Sequence, residues 1–244
     1  MKASSLLASI AVGFVGLSLV CATPALAQAK APDKAPAQPS GGEKDMHDHK
    51  DGKDHSDHKH DKDHGKAAAV AKVGELAPAF ELTDTDGKAV KLSDYSGKVV
   101  VLEWFNPTCP FVVKHHKTHT TFKDLHTQFK GKDVVFLAIN SSAAGKPGAG
   151  VEVNKKAKSD WKVEYPIVLD ESGKVGKAYG ARTTPHCYVI DKKGILAYAG
   201  AIDDNDSVDV KGNTNYVASA LTSVLAGQSV AKAETKPYGC SVKY

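Results

Sequence analysis

The sequence predicts an α/β domain, a central mixed β-sheet with helices on both faces, confined to residues 70–244 of a 244-residue chain. Three observations predict it. Two apolar, β-branched runs, Val99–Phe105 and Asp133–Ile139, flank a stretch long enough for a helix, the pattern of a parallel βαβ unit. Hairpin sequences stand on either side of that unit. Composition also changes sharply near residue 70: large apolar residues are almost missing from 28–69 and normal in the roughly 175 residues that follow, a common single-domain size.

Taken in order, Phe80–Leu82 and Val90–Leu92 form the first hairpin around Asp84–Lys88, whose Asp86-Gly87 favours a tight turn. Val99–Phe105 is a buried strand, and Asn106-Pro107 ends it. A helix follows from Pro110 to Phe129, with proline suited to its first turn. Asp133–Ile139 is the next strand, and a loop rich in Gly and Ser leads to a helix near Gly150–Ser159. Tyr165–Leu169 is a short strand and Lys174–Tyr179 a short helix. Cys187–Ile190 and Ile195–Ala201 make a second hairpin around Asp191–Gly194, and Asn213–Leu225 is the last helix.

The N-terminus carries Lys2, an apolar run from about Leu6 to Val20, and Ala25-Leu26-Ala27 before Gln28. Basic start, short apolar run and small-residue site in that order form a secretory signal peptide, residues 1–27, cleaved near Ala27. The run falls short of the about 20 apolar residues a spanning helix needs, and no other stretch is a better candidate. The expectation is a protein that is not integral to a membrane, placed in the bacterial periplasm or secreted. Cleavage removes Cys21 and leaves Cys109, Cys187 and Cys240. Three thiols cannot all pair within one chain, which favours redox chemistry over a disulfide scaffold. A buried structural thiol is the ordinary alternative for any one of them.

Charge is balanced, 32 basic against 28 acidic residues, and Arg182 is the one arginine. Interspersed lysines and carboxylates without arginine forks argue against nucleic acid as a partner. Residues 28–69 cannot bury enough surface to offset their ordering entropy and are expected to be disordered. His47, His49, His55, His58, His60 and His64 lie within its 45–64 stretch, among seven aspartates. Imidazoles suit Zn or Cu bound loosely, without fixed geometry; a soluble spacer is the equally simple reading.

Cys109 holds the chemistry. It stands where the Val99–Phe105 strand has ended and a helix begins, so its sulfur faces the positive end of a helix dipole, which favours the thiolate. Glu103 sits within an apolar strand six residues earlier, a costly place for a carboxylate without a task or partner. Desolvation would raise its pKa and make it a proton donor and acceptor; pairing with a lysine is the alternative. His115 and His119 share a helix face, so a Cys109/His115/His119 metal site is conceivable, although Lys114 and Lys117 suggest a solvated face.

Gly74–Leu82 and Leu92–Val101 resemble the opening of the redoxin and alkyl-hydroperoxide-reductase/thiol-specific-antioxidant branch of the thioredoxin superfamily. Trp104-Phe105-Asn106-Pro107-Thr108-Cys109-Pro110-Phe111-Val112 resembles a subgroup with a single active-site cysteine. Val175–Gly180, Thr183–His186, Tyr198–Asp204 and the tail Pro237–Tyr244 match the same subgroup. The likeness covers the folded part and none of the His-rich tract. It implies a thioredoxin-like fold and an antioxidant thiol oxidoreductase that needs no cofactor. Its partner would be a thiol- or disulfide-bearing protein or a small-thiol reductant, with peroxide as another oxidant. It also implies that Thr184-Pro185 is a cis-proline loop packed against Cys109, with Thr184, Pro185 and Trp104 binding substrate.

The family pattern is broken in places. Val112 and Val113 stand where Cys-x-x-Cys and Cys-x-x-x-Cys relatives carry a second thiol. Asn106 and Leu102 occupy the positions of the hydroxyl residue and proline that activate peroxide in peroxiredoxins. A resolving thiol must therefore come from elsewhere. Cys240, in an exposed-looking tail able to move, is preferred to Cys187, which begins an apolar strand; an external thiol is a third source. Arg182 could lower the Cys109 pKa or steady a peroxide oxygen, or be a plain surface arginine. A non-enzymatic metal handler using the His-rich arm and Cys109 is the second functional class.

Overall fold

The computed structural model describes residues 70–244. The expected signal peptide (1–27), the segment 28–69 and its six histidines lie outside the described residues.

A seven-stranded mixed sheet organises the domain. Its strands are β1 (Glu81–Asp84), β2 (Ala89–Lys91), β3 (Val99–Trp104), β4 (Val134–Asn140), β5 (Ile167–Leu169), β7 (Cys187–Ile190) and β8 (Leu196–Gly200), in spatial order β2-β1-β5-β4-β3-β7-β8. β3, β4 and β5 run parallel, while the two predicted hairpins, β1–β2 and β7–β8, close the sheet with antiparallel pairs. β6 (Thr183–Thr184) stands outside this sheet and pairs with β9 (Cys240–Ser241), a two-residue ladder with no sequence forewarning.

β3 is buried along its whole length because β4 and β7 cover both its edges and side chains cover both faces. Its continuous apolar run is what such a strand requires. Alternation still assigns each residue to one layer. Val99, Val101 and Phe105 join a core with Phe122, Leu125, Val217 and Leu221; Val100, Leu102 and Trp104 join the other with Tyr179, Tyr188 and Ile190. The first layer is roofed by α2 (Thr121–Phe129) and α5 (Tyr216–Leu225), and the second includes α4 (Lys174–Tyr179). α3 (Val151–Asp160) sends Ala157 to the first layer.

One predicted element is corrected. The helix expected from Pro110 to Phe129 is α1 (Pro110–Val113), then a π-helical turn (Lys114–Thr118), then α2. Thr120 breaks the path with a left-handed φ of 51°. Three consecutive residues on a regular α-helix spread over about 200° of its circumference. The wider turn instead lets Lys114, His115 and His116 all be buried, at 1%, 0% and 6% exposure. The solvated His/Lys face suggested by sequence is therefore absent at these three residues, and Lys117 alone of the two lysines faces solvent.

Candidate active site

Cys109 is the N-cap of α1, with Pro110 at the first helical position and Val113 N–H donating to Cys109 O at 3.0 Å. Asn106 shapes the loop that delivers it. Its Oδ1 accepts from Thr108 N at 2.8 Å and Thr108 Oγ1 at 2.7 Å, and its Nδ2 donates to Ser142 Oγ at 3.1 Å and Pro147 O at 2.9 Å. All of that amide's polar capacity on this side goes into positioning the loop. The Thr184-Pro185 bond is cis, as the resemblance implied, and the Cys109 thiol donates to Thr184 O at 3.0 Å.

The C-terminal tail completes the site. Cys240 lies in register with Thr184, the residue whose carbonyl accepts from the Cys109 thiol, and packs on the core cluster that contains Cys109. Burial, reinforced by Cys109, pushes the Cys240 thiol up to about 11, with Lys243 opposing. The tail is only partly exposed and is anchored on both sides of Cys240. On one side Tyr238 OH donates to Asp203 Oδ1 and accepts from His115 Nε2 at 2.9 Å, leaving His115 Nδ1 to accept from Thr121 Oγ1 at 3.1 Å. Burial, partly opposed by Asp203, pushes His115 down to about 3, consistent with that neutral ring. On the other side Val242 N–H donates to Arg182 O at 3.1 Å, Ala143 N–H to Lys243 O at 2.8 Å, and Tyr244 OH to Ala181 O at 2.8 Å.

This docked tail changes one expectation. A nucleophile facing the start of a helix would be open to a partner, yet Cys109 is only 3% exposed. Its neighbours Thr184 and Cys240 belong to the β6–β9 ladder, so the sulfur is closed off by the chain's own C-terminus. The tail is held mostly by isolated hydrogen bonds worth about 1 kcal/mol each. Each fully buried aliphatic of the sheet contributes about 1.5–3 kcal/mol. Opening should therefore begin at the tail and leave the sheet intact.

Glu103 shares the sheet layer of Val101 and Phe105, so it lies on the side of Cys109. It is 2% exposed and receives His116 Nε2 at 2.9 and 3.0 Å and Tyr165 OH at 3.5 Å. Its partner is thus a histidine, which replaces the lysine of the alternative reading. Burial raises its pKa above the usual carboxylate value, with His116 and Tyr165 opposing. Cys187 sits across the strand pair from Glu103, is wholly buried, and is pushed well above the usual thiol range by that burial and by the Glu103 charge.

Sequence reasoning misplaced Trp104. Its ring is wholly buried in the opposite layer from Cys109, packs on Tyr179 and Tyr188 at 5.3 and 5.1 Å, and donates from Nε1 to Ser141 Oγ at 3.0 Å. One residue of strand parity separates it from the site, so it cannot bind substrate there. Arg182 is exposed and offers its backbone carbonyl to the tail. His115 and His119 do not converge, since His119 Nε2 donates to Asp209 O at 3.0 Å. Among the described residues no group of three or more His, Cys, Asp or Glu side chains is arranged to hold a metal ion, and no helix is long and apolar enough to cross a membrane. Tyr238 and Asp203 were missed; the aromatic residue two positions before Cys240 was the available signal.

Comparison with known proteins agrees with this architecture. The family model described as Redoxin matches residues 72–217. The chloroplastic peroxiredoxin Q of Suaeda salsa is 32% identical over 146 residues, which cover 54% of this chain and 61% of that protein. The thiol-disulfide oxidoreductase ResA of Bacillus thuringiensis subsp. konkukian is 28% identical over 123 residues, covering 50% of this chain and 66% of that protein. The chain thus spans somewhat under two thirds of the length of these curated relatives. Among solved structures, an uncharacterized conserved protein of Geobacillus kaustophilus is 34% identical with a TM-score of 0.63, over 72% of this chain and 93% of that one. A hypothetical protein of Sinorhizobium meliloti 1021 is 27% identical with a TM-score of 0.65, over 72% of this chain and 96% of that one. The mixed sheet, the cysteine at its β3 exit and the proline loop beside it form a thioredoxin-like fold, and with a family model matched over more than half its length the chain belongs to the redoxin family.

Proposed function

We propose that this chain is an exported thiol-dependent oxidoreductase of the single-cysteine Asn-Pro-x-Cys-Pro-Phe-Val subgroup, with Cys109 as nucleophile and Cys240 as resolving thiol. The observation that carries the reading is the convergence of the two cysteines on Thr184, which accepts from Cys109 and pairs with Cys240, beside the Thr184-Pro185 cis bond. In the cycle, Cys109 as thiolate attacks one sulfur of a disulfide and the other sulfur leaves as a thiol. Cys240 then attacks the Cys109 sulfur and expels the second half, leaving a Cys109–Cys240 disulfide for an external thiol reductant. Thr184 and Pro185 frame the place where the partner sulfur docks. Glu103, its proton held more firmly by burial, is assigned a proton-holding role on the same sheet layer.

Disulfide exchange is placed ahead of peroxide reduction. Asn106 stands where a peroxide-activating hydroxyl is expected, and its amide donor is already committed to Ser142 and Pro147. The relatives include both a peroxiredoxin and a thiol-disulfide oxidoreductase, which supports the thiol chemistry common to both. Export rests on the 1–27 signal pattern, with 28–69 as a His/Asp/Lys-rich spacer ahead of the 70–244 domain.

Turnover of a small disulfide by an external thiol tests the assignment. Cys109→Ser should abolish it, Cys240→Ser should slow it about tenfold or more while a Cys109 mixed disulfide accumulates, and Cys187→Ala should leave it within about twofold. Undiminished turnover in Cys109→Ser would sink the proposal.

A further inference from the structure

The edge beside the proline loop is already occupied. Extended peptides bind exposed strand edges through backbone hydrogen bonds, and an unpaired edge beside a nucleophilic thiol would receive a disulfide-bearing chain in this way. Here β9 takes that edge from within: Thr183 pairs with Ser241, Thr184 with Cys240, and Val242 N–H donates to Arg182 O at 3.1 Å. The strand also sets a cysteine opposite Thr184, the residue that holds the Cys109 thiol, where a partner's sulfur would have to approach. Gly239 makes the fit: with φ of 131°, a Cβ there would overlap Thr184 O and come within 2.8 Å of Thr184 C. Only glycine lets the tail backbone lie so close to the loop.

We propose that the C-terminal strand is a built-in occupant of the partner-docking edge and sets the class of oxidant. A low-molecular-weight disulfide needs only a local parting of Cys109 and Cys240. An extended peptide disulfide needs the edge itself, so it is excluded until β9 lifts. This selectivity rests on the thiol-oxidoreductase reading of Cys109, and its test separates the two.

The test uses the full chain carrying Cys240→Ser, so that attack by Cys109 stops at the mixed disulfide. Two probes share one coloured aromatic leaving thiol: one joins it to a small aliphatic thiol, the other to the central cysteine of an extended Val/Thr-rich peptide. In each, the Cys109 thiolate forms a bond to the aliphatic or peptide sulfur, the probe S–S bond breaks, and the aromatic thiolate leaves and is counted by its colour. Adding Gly239→Val should raise the peptide rate relative to the small-probe rate about tenfold or more, by freeing the edge. Tyr244→Ala, which removes the outer anchor at Ala181 O without placing anything near the cysteines, should move the same ratio in the same direction. An unchanged ratio in both variants, or equal acceleration of both probes, overturns the proposal while leaving Cys109 a nucleophile. No reaction with either probe in any variant overturns both readings.

Discussion

Replacing Tyr238 with Phe removes one hydroxyl from the inner anchor of the tail and leaves its ring in place. In the native protein that hydroxyl donates to Asp203 and accepts from His115 at 2.9 Å. Asp203 keeps N–H donors from Asn205 at 3.1 Å and Gly212 at 3.0 Å, so its carboxylate is not stripped of partners. The ring keeps its edge contact with Phe111, centroids 5.9 Å apart. Two hydrogen bonds are lost, and the one to the charged Asp203 alone sets a floor of about 2 kcal/mol. Because the anchor holds the tail and not the sheet, the loss should appear in local opening. At tenfold for about 1.4 kcal/mol, the open population rises at least roughly thirtyfold. Native-state hydrogen exchange reads it directly. Ala143 N–H, bound to Lys243 O at 2.8 Å, and Val242 N–H, bound to Arg182 O at 3.1 Å, should lose about that much protection. Phe105 N–H, bound to Ile139 O at 2.8 Å inside the sheet, should keep its own. An even loss across the sheet, or none at Ala143 and Val242, would refute the claim that the tail opens as a unit of its own.

Other outcomes follow from the same geometry. Burial raises Glu103 above 4.5, so the folded state binds this proton more tightly than the unfolded chain does. The stability it contributes is full below the unfolded value and is lost as pH rises through the folded one. Glu103→Gln, which cannot ionise, should therefore gain in urea midpoint relative to the native protein as pH rises above about 4.5, and a constant difference contradicts this. His186 has the opposite sign. Burial, helped by Arg182, pushes it from 6.5 down to about 4, so its contribution is full above 6.5 and lost as pH falls toward 4, amounting to about 3 kcal/mol. His186→Gln should flatten that part of the acid limb of a stability–pH curve; an unaltered slope counts against it. Cys187→Ala should cost about 1–2 kcal/mol of stability. The native protein should also resist alkylation at Cys187 until it is denatured; ready labelling of the folded protein would contradict its burial.

Much of the sheet was legible because its signals are local and repeated. The Val99–Phe105 and Asp133–Ile139 runs became β3 and β4, and both Asp/Gly turns became hairpins. Asn213–Leu225 shortened to Tyr216–Leu225, with Asn215 capping by accepting from Ala218 N at 2.8 Å. Cys109, Cys240 and the proline loop were also within reach, because each residue type has a chemical reason to stand there. Trp104 was misplaced because a continuous apolar strand does not announce which face is which; counting alternate positions from Glu103 would have separated them. The π turn escaped because Lys114 and His115 look polar, and only tertiary packing turns them inward. The docked tail escaped for another reason. A two-residue ladder between positions 56 apart has no periodicity, and its anchors, Tyr238 and Tyr244, gain meaning only beside Asp203 and Ala181.

The central claim is that Cys109 and Cys240 work as one dithiol, and peptide mapping of the full chain after stoichiometric peroxide or small disulfide tests it most directly. A Cys109–Cys240 cross-link that forms on oxidation and disappears with an external dithiol, with Cys187 free throughout, is the predicted result. Cys240 still open to alkylation in fully oxidised protein, or a bond from Cys109 to Cys187, would contradict the account.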